Sequence, residues 1–270
     1  MEPNRVITLK RALDELPLWG ISPPEKISTL HSGLTNRSYL LETHNHKYVL
    51  RLNNSNAFKL GISRRNEYRT LQAIADEDFA PDTVYACPSY SYLVSRHIDG
   101  TSFAEQAPNV REIEQLNNII DYYQQEISLQ LAPISYMYQL KAYYQTALEC
   151  NAVDEKTDDE WQLFLPQLEA FEAQLPSLAF CHGDLTPGNI IRHRGSLKII
   201  DWEYACAGHP MMDKLTTGIY RDPDDQQYRD LRSVVRWLHK LWLLIIPHYP
   251  RLPEEDGSSH TMKATAFDNP

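Results

Sequence analysis

The chain has 270 residues, 42% of them hydrophobic, with 16 Tyr. That is enough to bury one large core or two smaller lobes and excludes a disordered or peptide-like protein. A formal charge of −10, with Asp and Glu spread along the chain, argues against wrapping nucleic acid and favours cationic partners.

In chain order, Leu9 to Leu16 reads as a short helix. Ser38 to Glu42 and Lys47 to Leu52 alternate around Asn45-His46, which predicts a β-hairpin. Ile62 to Ala75 follows as a helix, and Tyr90 to Ile98 as a strand stopped by Asp99-Gly100. Beyond Gly100 the spacing turns helical over Val110 to Ile127, Ile134 to Leu148 and Trp161 to Leu175, with acidic Asp154 to Glu160 as a solvated connector. Two short β-like runs, Leu178 to Cys181 and Leu197 to Ile200, bracket a turn-rich segment, and Tyr228 to Ile246 reads as a last helix. The pattern predicts an α+β fold with residues 1–98 as a sheet-rich lobe, 99–252 as a mostly helical lobe and 253–270 as a polar, flexible tail.

Cys87, Cys150, Cys181 and Cys206 form no C-x-x-C pair, and Met1 to Lys10 lacks the apolar core of a signal peptide. The longest apolar run, Leu241 to Pro247, is too short to span a bilayer. These features predict a soluble cytoplasmic protein with reduced thiols and no membrane insertion.

The turn-rich segment is His182-Gly183-Asp184-Leu185-Thr186-Pro187-Gly188-Asn189, followed twelve positions later by Asp201 behind Leu197, Ile199 and Ile200. A surface turn accounts for Thr186 to Gly188 but not for His182, Asn189 and Asp201. A carboxylate at Asp184 suits a base that takes the proton of a hydroxyl, and Asn189 and Asp201 offer the hard oxygens that Mg²⁺ requires. His182 fits a supporting role, bracing the loop through the backbone. In the helix after the hairpin, Leu60, Glu67, Leu71 and Ile74 share one face, so Glu67 lies in a buried stripe and needs a cation. Arg51, on the strand Lys47 to Leu52, is the natural partner; the plain alternative is a structural ion pair.

These pieces, together with the loop Ser32-Gly33-Leu34-Thr35-Asn36, the strand and hinge Leu93 to Gly100 and the run Ile199-Ile200-Asp201-Trp202-Glu203, resemble the aminoglycoside phosphotransferase and choline kinase family over roughly residues 28 to 245. The resemblance implies a two-lobed protein-kinase-like fold and an ATP-dependent kinase with Mg²⁺. Ser32, Thr35 and Asn36 would cover the phosphates, Arg51 and Glu67 would grip them, and the backbone of Arg96 and Ile98 would meet adenine. The loop has one glycine, unlike the G-x-G-x-x-G of protein kinases. An Arg at position 51, as in relatives resembling choline kinases and bacterial thiamine kinases, favours choline or thiamine as acceptor. A cationic alcohol would be held by aromatic faces and carboxylates. Candidates are Trp202, Glu203, Tyr204, Tyr220, Trp237 and Trp242, the plain alternative being that Trp237 and Trp242 pack the last helix. The family's Asp after the D-W-E segment corresponds to Asp213, which would brace that loop or lie near the acceptor; Lys214 stands where relatives have an apolar residue. The alternatives are an aminoglycoside-inactivating kinase and a non-catalytic nucleotide-binding protein.

Overall fold

A computed structural model describes residues 7–32, 35–128, 131–218, 222 and 224–249. Contacts divide these into two units: residues 7–59 with 81–99, and 60–80 with 100–249. The segment 60–80, placed by sequence in the first lobe, thus makes its contacts within the second unit.

The first unit is a five-stranded antiparallel sheet, built from β1 (Lys26–Ser32), β2 (Asn36–Glu42), β3 (Lys47–Asn53), β4 (Thr83–Ala86) and β5 (Tyr92–Arg96) in the order β1-β2-β3-β5-β4. The expected hairpin is β2 and β3, in register from Asn36↔Asn53 to Glu42↔Lys47. Its turn is closed by Thr43, whose N–H and hydroxyl both donate to the His46 carbonyl. Alternation sends Tyr39, Leu41, Tyr48, Leu50, Leu52, Tyr92 and Val94 to one face, where they pack with Trp19 and with Leu9 and Ala12 of helix α1 (Leu9–Leu13). A 3-10 turn over Leu16–Trp19 follows α1, so the expected helix Leu9 to Leu16 is interrupted. The opposite face of the sheet carries Asn36, Ser38 and Leu40 beside Asn53, Arg51 and Val49, and then Leu93 and Ser95.

The second unit is mostly helical: α2 (Arg64–Ala73), α3 (Val110–Glu126), α4 (Tyr136–Glu149), α5 (Glu155–Ala173), the short α6 (Met212–Thr216) and α7 (Gln226–Ile245). Polar caps set several helix starts: Ser63 accepts from Asn66 N, Asn109 and Glu112 form a reciprocal capping box, and Ser135 accepts from Tyr138 N. The acidic stretch 154–160 is not a connector. Asp154 caps α5 by accepting from Thr157 N at 2.8 Å, and Glu155 and Asp158 occupy the first turn, where negative charge meets the helix dipole favourably. Lys214 pairs with Asp121 at 2.5 Å, which gives the unexpected cation a partner on α3.

Two small β elements hold the turn-rich segment: β7 (Ala179–Cys181) pairs with β10 (Cys206–Gly208), and β8 (Ile190–His193) lies between β6 (Thr101–Ser102) and β9 (Ser196–Ile199). All four cysteines are free thiols. Among the described residues no helix is long and apolar enough to cross a membrane. The tail 253–270 lies outside the described residues.

Candidate active site

The β8–β9 hairpin brings the two ends of the motif together. Ile190 pairs with Ile199, and Ile200 N donates to Asn189 O at 2.9 Å, so Asn189 and Asp201 leave the same end of one ladder. Asn189 also donates from its side-chain Nδ2 to the Asp184 carbonyl at 2.9 Å. A carbonyl accepts only, so the amide nitrogen is fixed on that side, and the Oδ1 is the atom Asn189 can offer a cation. Asp201 holds a left-handed backbone, φ 65° and ψ 56°, a conformation that a non-glycine residue keeps only where its surroundings impose it.

His182 is fully buried and its protonation is legible from its bonds. Asp184 N–H donates to Nδ1 at 3.2 Å, so Nδ1 is the acceptor and Nε2 bears the hydrogen that goes to Ile200 O at 2.9 Å. Burial lowers the imidazole pKa, with the charge of Asp213 opposing. The ring is therefore a neutral brace that joins the strand carrying Asp201 to the loop carrying Asp184.

Asp213 completes that brace. At 0% exposure it accepts from His182 N at 2.8 Å, from Gly183 N at 3.0 Å and from the Tyr123 hydroxyl at 2.6 Å. The loop it holds is that of His182 and Gly183, not the D-W-E segment. Gly183 is required between them: its φ is +83°, and a Cβ there would lie 2.3 Å from the Tyr204 carbonyl oxygen. Gly183→Ala is expected to destabilise the fold by about 2 kcal/mol or more, the left-handed penalty plus the clash. Denaturant unfolding of that variant checks it, and a loss below 0.5 kcal/mol would contradict the packing described.

Asp184 itself has its pKa raised to about 7, chiefly by burial, then by the charges of Glu203 and Asp213, with the Asn189 side chain acting against them. Its surroundings are also aromatic. Burial first, and the charge of Asp184 among the further causes, push up the phenols of Tyr143 and Tyr204. The Trp242 ring lies 6.1 Å from that of Tyr143 and 6.4 Å from that of Tyr204.

The remaining aromatic candidates separate clearly. Trp202 is wholly buried, donates to Ile199 O at 3.0 Å, and packs on Phe180, 5.7 Å away and nearly parallel, and on His182 at 4.6 Å. It has no surface to offer an acceptor and is corrected to a core residue. Trp237 stacks on Phe164 at 5.3 Å and meets Trp161 at the same distance, packing α7 against α5. Trp242 is half-buried beside the two tyrosines near Asp184. Tyr220 lies outside the described residues, as do Gly33 and Leu34 of the expected phosphate loop.

Glu67 is buried, as its place in the apolar stripe required, and the cation bound to it within the second unit is Arg64: Nη1 lies 3.0 Å from Glu67 Oε2. The same nitrogen lies 2.6 Å from Glu203 Oε2. Glu203, expected to face the acceptor, is thus a buried member of an ion triad. Arg64 was not anticipated. Its i,i+3 spacing to Glu67 is a signal in the sequence, but the link to Glu203 spans 139 residues and leaves no local trace.

In the first unit, Thr35 and Asn36 are buried at the start of β2, with Asn36 Nδ2 donating to Thr35 Oγ1 at 3.2 Å; Ser32 ends β1. Arg51 shares the sheet face of Ser38, and its Nε donates to Asn53 Oδ1 at 3.1 Å, while Asn53 Nδ2 donates to Tyr90 O at 2.8 Å. Asn53, which sequence reasoning missed, thereby sets the direction of the guanidinium. The signal was present, since Asn53 lies two residues along the strand and on the same face. The Arg96 N–H donates to Asp82 O at 2.8 Å and its side chain pairs with Asp82 at 2.7 Å, so of its backbone groups the amide is already engaged within the first unit. Ile98, half-buried, lies beyond the end of β5.

Whether Mg²⁺ suits this set follows from donor chemistry. Among the described residues no group of three His, Cys, Asp or Glu could hold a metal. One amide oxygen and one carboxylate fit an ion that takes oxygen donors and fills the rest of its shell with phosphate and water.

Comparison with known proteins gives a consistent picture. Residues 26–237 match the profile of the Phosphotransferase enzyme family. No curated protein matches the sequence. Among solved structures, the fold is similar to choline kinase LicA from Streptococcus pneumoniae, at a TM-score of 0.70 and 16% identity over 89% of this chain and 92% of that one. It is also similar to an ethanolamine kinase from Plasmodium vivax, at 0.62 and 16% over 92% and 83%. A third likeness is aminoglycoside phosphotransferase APH(4)-Ia in a ternary complex with AMP-PNP and hygromycin B, at 0.64 and 15% over 88% and 93%. At such identities the likeness carries the kinase-like fold and not the acceptor.

Proposed function

The chain belongs to the phosphotransferase enzyme family, and from that premise we propose that it transfers the γ-phosphate of ATP to the hydroxyl of a small cationic alcohol, of the choline or thiamine type. The observation that carries this reading is the setting of Asp184: a carboxyl with a raised pKa, in the field of the buried carboxylates Glu203 and Asp213 and near the half-buried rings of Tyr204 and Trp242. Negative potential and aromatic faces together favour a cation, by roughly 0.5 to 2 kcal/mol for each well-placed ring. A polycationic aminoglycoside would use the charge but needs fewer rings, and it is the second reading.

Asp184 accepts the proton of the acceptor hydroxyl and aims its oxygen at the γ-phosphorus. His182 and Asp213 hold the Asp184 loop in place. Asn189 and Asp201 would hold Mg²⁺, which supplies charge neutralisation on the nucleotide phosphates when bound. Within the first unit, the sheet face with Asn36, Ser38 and Arg51 carries polar groups of the kind that suit a nucleotide's phosphates, and Leu40, Val49 and Leu93 on the same face carry apolar surface of the kind that suits a base.

A thermal-shift panel tests the acceptor. With Mg²⁺ and a non-hydrolysable ATP analogue present, choline or thiamine should raise the melting temperature, since a ligand at 100 times its Kd stabilises by about 2.7 kcal/mol. A shift with aminoglycosides alone, or with none of the compounds, would reject the cationic-alcohol reading.

A further inference from the structure

Arg64 opens α2, and one of its nitrogens, Nη1, reaches Glu67 Oε2 at 3.0 Å and Glu203 Oε2 at 2.6 Å. All three side chains are withdrawn from water, at 12%, 5% and 5% exposure. Two carboxylates this buried are tolerated together only while a cation lies between them. Glu203 is two residues from Asp201, in the single turn Trp202–Tyr204.

The left-handed backbone of Asp201, uncommon outside glycine, is supported on both sides. On the amino-terminal side the support is the β9 ladder, extended by Ile200 N to Asn189 O. On the carboxy-terminal side Trp202 is anchored by its indole bond to Ile199 O and by its ring stack on Phe180. The next residue, Glu203, is held by Arg64. The turn is thus pinned at consecutive positions, one apolar and one ionic, and the ionic pin comes from a different helix.

We infer that Arg64 is a positioning residue for Asp201: by holding Glu203 it fixes the far flank of the strained residue, and with it the carboxylate directed at the divalent cation. This rests on the reading of Asp201 as an ion ligand, and it gives the Arg64–Glu67 pair a task beyond stabilising α2. The helix turn that bears Glu67 and the turn after Asp201 are held in one arrangement by one guanidinium.

The test titrates Mn²⁺, read by the paramagnetic resonance of the free ion, into the full chain with a non-hydrolysable ATP analogue. Arg64→Met should weaken Mn²⁺ binding about tenfold or more, the usual effect of losing a partner behind a ligand, and lower kcat while KM for the acceptor changes less than about twofold. Arg64→Lys, which keeps the charge, should recover most of the affinity. Arg64→Met with Glu203→Gln removes one of the two carboxylate charges that Arg64 compensates and should recover part of the melting temperature but not the Mn²⁺ affinity; it carries the test if the single variant fails to fold. Wild-type Mn²⁺ affinity in Arg64→Met, or recovery of both properties in the double variant, would overturn the inference and leave only charge neutralisation. Asp201→Asn separates the two levels: if it binds Mn²⁺ like the parent, the ligand reading itself fails, whereas lost binding there with unaltered Arg64 variants removes the positioning role alone.

Discussion

Replacing Asp184 with asparagine is expected to lower phosphoryl transfer by roughly 10²–10⁴-fold, the usual contribution of a positioned base, while making the protein more stable above neutral pH. The second half follows from the sign of the pKa shift. Burial first, then Glu203 and Asp213, raise the carboxyl to about 7 from its ordinary value near 3.8. Between those values the folded state binds more protons than the unfolded chain, so this group's contribution to stability falls as pH rises through that window and is constant above it. An amide escapes the effect. In the absence of nucleotide and divalent cation, the Asp184→Asn variant and the parent should melt together near pH 4 and separate progressively towards pH 7. Discounted for the partial exposure of Asp184, the gap should be about 1–2 kcal/mol, or roughly 2–8 °C for a chain of this size. A variant that melts below the parent at pH 8, or that keeps its turnover, would contradict the description of this group.

Replacing Asp213 should instead destabilise the protein, because its carboxylate is already satisfied. It accepts three hydrogen bonds in a fully buried setting, two from the main-chain N–H groups of His182 and Gly183 and one from Tyr123. The ring of Tyr123 in turn packs against Phe180 and Trp202. Asp213→Ala removes every one of these acceptors at once and should destabilise by about 3–5 kcal/mol, a fall in melting temperature on the order of 10 °C. Asp213→Asn is the sharper variant. An amide has one acceptor oxygen and two N–H donors, so one side of it must face an N–H group. It is expected to lose at least half as much stability as alanine despite its near-identical shape. Melting curves of both variants decide this, and parent-like stability in Asp213→Asn would mean that the loop is braced by something else.

The parts of this fold that could be read from the sequence are those where one face is buried against a polar other. The β2–β3 hairpin and the stripe Leu60, Glu67, Leu71, Ile74 are of that kind, and each of those four side chains is at most 5% exposed. Within the five-stranded sheet, the two strands that escaped notice, β1 and β4, are its edges. Edge strands are held by one neighbour and tolerate mixed polar sequence, which blurs the alternation. The acidic run before Trp161 looked like a connector because charge density resembles a loop, whereas here it serves the N-terminus of α5.

In the candidate site, the proximity of Asn189 and Asp201 was legible because a short motif and a hairpin join them locally. Glu203 and Trp202 were misjudged for one reason: adjacency to Asp201 in sequence suggested adjacency to a ligand. A 3-10 turn instead sends both side chains inward, Trp202 into the aromatic core and Glu203 to Arg64. The pairing of Arg64 with Glu203 and the bonds of Asp213 to residues 31 and 30 positions earlier are long-range contacts with no periodic signature.

The most direct measurement is transfer of label from γ-³²P ATP, with Mg²⁺, to choline, thiamine, ethanolamine and an aminoglycoside, run in parallel with parent and Asp184→Ala. The account predicts a labelled phosphomonoester of choline or thiamine with the parent and roughly 10²–10⁴-fold less with the variant. Label appearing only on the aminoglycoside, or on any acceptor at equal rates with both proteins, would contradict it.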